Sequence, residues 1–363
     1  MEEKGKKGRM DYTLLLIVVL LVVIGLVILY STSAYNGQVK FHDSFYYLKK
    51  QAFATVLGIV LMLFVAGMDY HIWQRLAVFG YLAAVALSVA VMLFGREING
   101  SKRWLALGPF SFQPSEFAKV ALILFLADLV TKNVKTIGKM WTLCRIMFWI
   151  LPIVGLVGAS NLSTAIIILG IGVILIFVAS PKYAQFALMG IAGACFMGIF
   201  LALESYRLER LAIWRNPEKY EKGYQTLQGL YAIGSGGVFG VGIGNSVQKL
   251  GFVPEAQNDM IFSIICEELG LAGAGIIVFL FLLLIWRFFL IASGSRDLFG
   301  ALIATGAMAH MMIQVILNIA VVTNTIPNTG ITLPFISYGG TSVLFLMGEM
   351  GLALSVTRYS RAA

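Results

Sequence analysis

Along the 363 residues, apolar runs of membrane-spanning length alternate with short polar stretches. A helix needs roughly 20 apolar residues to cross a bilayer. Ten segments approach or meet that length: about 12–32, 49–67, 75–95, 114–131, 146–160, 162–180, 182–204, 261–290, 300–323 and 339–358. The first has an apolar core from Leu14 to Leu29 and no small-residue cleavage site after it, which predicts a retained membrane helix rather than a removed signal peptide. The pattern predicts an all-α polytopic membrane protein of ten transmembrane helices. It forms one domain over 1–363, with a cytoplasmic tail at 1–11 and a large extracellular loop at 204–260, between the seventh and eighth spans.

Composition agrees with that reading: 59% of the residues are hydrophobic and only 12% are charged. The net charge of +9 would suit nucleic acid, but the basic residues fall between apolar runs, as orientation signals do. Lys4, Lys6, Lys7 and Arg9 precede the first span, Lys132, Lys135, Lys139 and Arg145 follow the fourth, and Arg358 and Arg361 follow the tenth. The positive-inside rule then puts both termini in the cytoplasm. Cys144, Cys195 and Cys266 stand far apart and predict neither a disulfide framework nor a zinc site. His42, His71 and His310 are equally scattered and predict no metal cluster or triad.

Two outward loops break the charge rule. The loop after span three carries Arg96, Lys102 and Arg103, and the long loop carries Arg207, Arg210, Arg215, Lys219, Lys222 and Lys249. Over 204–222 the acidic residues Glu204, Glu209, Glu218 and Glu221 offer partners, as on an amphipathic interfacial segment. Lys102, Arg103 and Lys249 have fewer acidic neighbours, so a bound anion is expected there, such as the phosphates of a lipid-linked substrate.

The densest polar stretch is Gly244 to Gly270, with Gln248, Lys249, Glu255, Gln257, Asn258, Asp259, Glu267 and Glu268 at the mouth of a span. Polarity at a membrane boundary is tolerated where it lines a cavity, which makes this the first place to look for chemistry. Gln113-Pro114-Ser115-Glu116 reads as a helix start, and Glu116 and Lys119 share a face as either a local ion pair or a pair aimed into a cavity. Asp128 lies near the cytoplasmic end of that span. Glu349 sits in the last span without a basic sequence neighbour, so it needs a partner on another helix or a proton. The link from Val321 to Ser342, with Pro327, Gly330, Pro334, Gly339 and Gly340, predicts an irregular buried or water-lined element. The glycine run from Gly234 to Gly244 has no preceding strand and no Lys-Ser/Thr ending, which excludes a nucleotide P-loop.

Five separated motifs carry a resemblance over nearly the whole chain. They are Asn99-Gly-Ser-Lys-Arg-Trp104 leading to Gln113-Pro-Ser-Glu-Phe-Ala-Lys119; Asn245-Ser-Val-Gln-Lys249; Pro254-Glu255 with Asp259-Met-Ile-Phe262; Glu267-Glu-Leu-Gly270; and Pro334-Phe-Ile-Ser-Tyr-Gly-Gly-Thr-Ser342. In this order they resemble the SEDS family (shape, elongation, division and sporulation; the FtsW/RodA/SpoVE group), with the Asn245–Lys249 run nearer the FtsW/SpoVE type. The resemblance implies an outward-facing polymerase of lipid II, the undecaprenyl-diphosphate-linked disaccharide-pentapeptide. It also implies a class B penicillin-binding protein transpeptidase and other division proteins as partners, and no nucleic acid. Asp259 matches the family's essential loop aspartate. Lys102, Arg103, Gln113, Glu116, Lys119, Gln248, Lys249, Glu255 and Ser337 are the substrate-binding candidates. Two departures stand out. The link usually holding Pro-Asp reads Ser160-Asn161-Leu162-Ser163-Thr164, and the usual His-Thr before the aspartate reads Gln257-Asn258.

Sugar transfer from a lipid diphosphate needs a hydroxyl nucleophile, a base and help for the departing diphosphate. One carboxylate suffices, and a single displacement inverts the donor carbon. Asp259 suits the base: burial raises its pKa and the following helix start lowers it. Asp259 or Asn258 as an N-cap is the plain alternative. Glu255 is the rival base, while Glu267 and Glu268 lie roughly two turns deeper. A divalent cation (Mg2+ or Mn2+) is the one cofactor the diphosphate would admit. A lipid II flippase is the competing function, and a division scaffold would leave the polar cluster without a role.

Overall fold

The computed structural model describes residues 10–98, 101–107, 110–187, 190 and 212–359. Long helices follow the apolar runs: α1 Tyr12–Phe41, α2 Tyr46–Gly67, α3 His71–Phe94, α4 Pro114–Asn133, α5 Met140–Ser160 and α6 Leu162–Ala179. A shorter helix, α7 Tyr224–Ser235, precedes α8 Ile261–Ser293, α9 Leu298–Val322 and α10 Gly340–Tyr359. Eight of these are long and apolar enough to cross a membrane. α4 is equally long, but it carries Glu116, Lys119 and Asp128 and sinks most of its side chains into the bundle. Intramembrane charges turn to the protein interior because lipid cannot solvate them. The chain is a mostly helical polytopic membrane protein with one continuous apolar core.

The termini of the helices sort into two ends. At one end Asp11 caps α1 and pairs with Arg287 of α8, Gln74 of α3 donates to Asp128 of α4 at 2.9 Å, and Ser355 of α10 donates to the Met68 carbonyl. At the opposite end Arg103 donates to the Ser160 carbonyl, Ser163 to the Thr329 carbonyl and Ser337 to the Asn258 carbonyl. The expected seventh span, 182–204, lies largely outside the described residues. Among the described residues on either side, Gln185 donates to the Gly138 carbonyl and Trp214 to the Asn324 carbonyl.

Two features depart from the sequence expectation. The loop after α3 forms a small antiparallel sheet, β1 Arg96–Ile98, β2 Ser101–Leu107 and β3 Phe110–Phe112, with Arg96 opposite Trp104 and Leu105 opposite Phe112. The expected amphipathic segment at 204–222 is, in its described part, a helical turn at 212–215 followed by two 3-10 turns, Pro217–Lys219 and Glu221–Gly223. Beyond it the chain does not stay at the surface. α7 begins beside Pro254 and Asn328, where Gln225 bonds both, and packs along the start of α8. The glycine run after it reaches the depth of Gly270, so α7 and 236–242 are a re-entrant element.

That depth is set by a break in α8. Gly270 has φ 68° and ψ −171°, which frees backbone groups on both sides. The re-entrant strand takes them up: the Val241 and Gly242 N–H groups donate to the Glu267 and Glu268 carbonyls, and the Leu271 and Ala272 N–H groups donate to Gly237 and Val238. Irregular backbone survives at membrane depth only when buried in protein partners of this kind. A Cβ on Gly270 would stand 2.4 Å from the Gly240 nitrogen, and its φ/ψ is open essentially to glycine alone. Gly270→Ala is therefore expected to lower Tm by several degrees, about 1–3 kcal/mol or more. Thermal unfolding in detergent checks it, and an unchanged Tm would contradict the joint.

Candidate active site at the rim of the bundle

Asp259 stands just before α8, with the residue only 8% exposed. It is not the helix cap: Met260 occupies the N-cap position, and no side-chain cap hydrogen bond is made there. Three consecutive carbonyls fix its segment. The Tyr338 N–H donates to Gln257 O at 2.9 Å, Ser337 Oγ to Asn258 O at 2.6 Å, and Asn318 Nδ2 to Asp259 O at 2.8 Å. The link between α9 and α10 is thus stitched to the aspartate loop, and a Cβ at Gly330 would lie 3.9 Å from Asp259 Oδ2. The link is itself tied down by Gln51 of α2, which donates to Ser337 O and accepts from the Gly339 N–H, and by Ser163 Oγ, which donates to Thr329 O.

Burial pushes the Asp259 carboxyl up to about 7 from its ordinary value of 3.8, and the charge of Glu255 adds to this, against the N–H groups of Asp259 and Met260. A carboxylate with that affinity for protons is a competent base near neutrality. Glu255 is exposed, sits at φ 54° and accepts from Asn258 Nδ2. It shapes the field on Asp259 from the solvent side.

The basic candidates do not converge. Lys249 reaches 2.7 Å from Glu268 and 2.9 Å from Ser31, and Ser31 also donates to Glu268. Glu268 lies roughly 12 Å down the axis from Asp259, so Lys249 serves a buried ion pair within the bundle and is no free anion site. Lys119, 1% exposed, pairs with Glu116 at 2.9 Å and donates to Gln314 Oε1 at 3.2 Å. A buried cation without an anion would carry a large desolvation cost, which is why each lysine meets a carboxylate. Arg103 Nε donates to the Ser160 carbonyl at 3.0 Å, and Lys102 is exposed on β2. Of the expected cations, Lys102 is the one that faces outward from the sheet.

Other candidates hold structure. Glu267 accepts from Ser246 Oγ and from the Val247 and Gln248 N–H groups, locking the turn that delivers Lys249. Ser337 accepts from the Leu333 N–H while donating to Asn258, so its hydroxyl organises the link rather than facing a substrate. Gln113 is the residue before Pro114 at the start of α4, and its side chain makes no cap bond. In the 160–164 link Asn161 caps α6 by accepting from the Thr164 N–H, where the resemblance implies a carboxylate.

One group escaped the sequence reading. His310, Gln314 and Asn318 recur every four residues on one face of α9 and are all buried. Gln314 Nε2 donates to Thr332 O, so its Oε1 accepts from Lys119 and from His310 Nε2–H at 2.8 Å. His310 Nδ1 then faces both oxygens of Glu349 at 2.9 Å. Glu349 thereby finds its partner on another helix. The spacing His-x-x-x-Gln-x-x-x-Asn in an otherwise apolar span was the available signal.

Among the described residues no group of three or more His, Cys, Asp or Glu side chains could hold a metal ion. A cavity of about 670 Å3 opens between α1 and residues 243–250, lined mainly by apolar side chains with Tyr30, Tyr35, Ser31 and Lys249 in its wall.

Fold and site together define a polytopic helical membrane protein with a buried acidic centre at one rim. The chain matches the cell cycle protein family FtsW/RodA/SpoVE over residues 12–362 and belongs to it. It is 40% identical to stage V sporulation protein E of Bacillus subtilis (strain 168), over 98% of this chain and 99% of that one. It is 33% identical to a probable peptidoglycan glycosyltransferase FtsW of Geobacter sp. (strain M18), over 97% and 98% of the two chains. Among solved structures it is similar to a chain from a peptidoglycan synthase complex that coordinates polymerization and crosslinking, with TM-score 0.83, 29% identity and coverage of 96% and 98%. Thermus thermophilus rod shape determining protein RodA follows with TM-score 0.72, 28% identity and coverage of 97% and 98%.

Proposed function

We propose that this chain is a peptidoglycan glycosyltransferase that polymerises lipid II, with Asp259 as general base at the outward face of the cell membrane and both termini in the cytoplasm. The carrying observation is a buried carboxylate, pushed up to about 7, on a loop whose three consecutive carbonyls are each held. Asp259 takes the proton of the acceptor sugar hydroxyl as its oxygen attacks the donor carbon, and the bond to the diphosphate breaks on the opposite face. A diphosphate leaves without a general acid, so one base completes the proton account and the configuration inverts. Lys102 on the sheet is the cation offered to the departing charge, where stabilisation acts on the transition state. The apolar cavity beside α1 suits part of an isoprenoid tail.

The flippase alternative requires polar groups open along a path through the bundle. The mid-bundle groups here, Glu116, Lys119, His310, Gln314 and Glu349, are buried and bonded to one another. This favours the enzyme.

The test is polymerisation of labelled lipid II by the purified chain, with and without a co-purified class B penicillin-binding protein. Polymer, formed faster with the partner, is expected; absence of polymer in both would refute the reading. A base with this pKa also sets a pH dependence. Polymerisation should be half-maximal near pH 7 and fall about tenfold per unit below it. Stability should move oppositely: the folded pKa lies above the unfolded one, so the folded state binds the proton more tightly and Tm should decline as pH rises from about 4 to about 7. A rate independent of pH from 5.5 to 8 would contradict the assignment.

A further inference from the structure

Asn318 is fully buried in α9, and its amide has a definite orientation. Nδ2 donates to Asp259 O at 2.8 Å and to Ile331 O at 2.7 Å, so both of its hydrogens are used. Oδ1 finds no hydrogen-bond partner among the described residues. Turning the amide over would set Oδ1 against two carbonyl oxygens, so the observed orientation is the one that geometry allows. An interior that leaves an acceptor unsatisfied gives up stability. It does so here to join two loops at the residue that carries the acidic centre.

We infer that Asn318 is a positioning residue: its amide clamps the Asp259 backbone to the Ile331 backbone and thereby fixes where the Asp259 carboxylate stands and how much water reaches it. Gln314, one turn deeper, holds the next carbonyl, Thr332 O, at 3.0 Å, but makes no bond to the aspartate loop. The two amides anchor the same link, and only Asn318 joins it to Asp259. From the surrounding elements, Glu255 is the charged side chain whose field reaches Asp259; α9 and the 325–340 link present Asn318 and the Gly330 backbone. Loss of the clamp therefore acts by admitting water to Asp259. The inference rests on Asp259 being the base, but its effect on that carboxyl can be read without catalysis.

The experiment compares full-length wild type with Asn318→Ala, Asn318→Ser and Gln314→Met. Asp259 is titrated directly, by the pH dependence of its modification with a water-soluble carbodiimide, read by mass spectrometry, beside Tm and lipid II kinetics. Asn318→Ala should lower the Asp259 midpoint by about one pH unit or more and reduce kcat about tenfold or more with little change in KM. Asn318→Ser, which keeps one donor, should fall between, and it carries the test if the alanine variant does not fold. Gln314→Met should lower Tm yet leave the Asp259 midpoint in place. An unmoved midpoint in folded Asn318 variants, or an equal movement in Gln314→Met, would overturn the inference. If wild type makes no polymer, the function reading fails, and the carbodiimide titration still decides the role of Asn318.

Discussion

Replacing Asp259 with Asn is expected to lower lipid II polymerisation by about 100-fold or more while leaving the fold intact. The substitution keeps size and shape, and it removes a basic oxygen from a position with no capping duty. The segment stays anchored, because the bonds at 257, 258 and 259 all run through backbone carbonyls. Removing a buried, proton-hungry carboxyl should raise Tm slightly above neutral pH, the opposite of what loss of a structural carboxylate does. Polymer yield and Tm of the same preparation check both halves. An active Asp259→Asn variant would remove the aspartate from the chemistry.

The second large effect concerns the buried pair of α4. Lys119→Met leaves Glu116 as an uncompensated carboxylate inside the bundle, which costs about 3–5 kcal/mol. It also breaks the bond to Gln314 Oε1, on which the His310–Glu349 arrangement depends. Combining it with Glu116→Gln removes both charges, and the double variant should regain most of the stability and activity. Unfolding and polymerisation of the two single variants and the double are the measurements. A double variant that is stable but inactive would return Lys119 to a role at the diphosphate.

The helices were legible because a lipid-facing helix must be apolar over its whole length, and Leu14–Leu29 or Leu162–Ala179 can be read in no other way. The partners of buried charges were not. Lys249 and Glu268 are nineteen residues apart and meet because α8 and its preceding loop fold onto α1, which residue spacing does not encode. The glycine run 234–244 was visible but mute: backbone donors leave no trace in composition, so its splice into the break at Gly270 had no sequence signal. The polar ladder of α9 was readable in principle, as His310, Gln314 and Asn318 lie four apart. Each was diluted by apolar neighbours that dominate hydropathy. Asp259 itself was found through the motif, whereas its three-carbonyl anchorage needed the fold.

Polymerase and transporter are separated in liposomes that carry the purified chain with a class B penicillin-binding protein and labelled lipid II in the leaflet facing the Asp259 rim. Both glycan polymer and lipid II crossing to the other leaflet are followed. Glycan chains with release of undecaprenyl diphosphate, abolished by Asp259→Asn, are expected. Transfer of intact lipid II across the bilayer without polymer would contradict it.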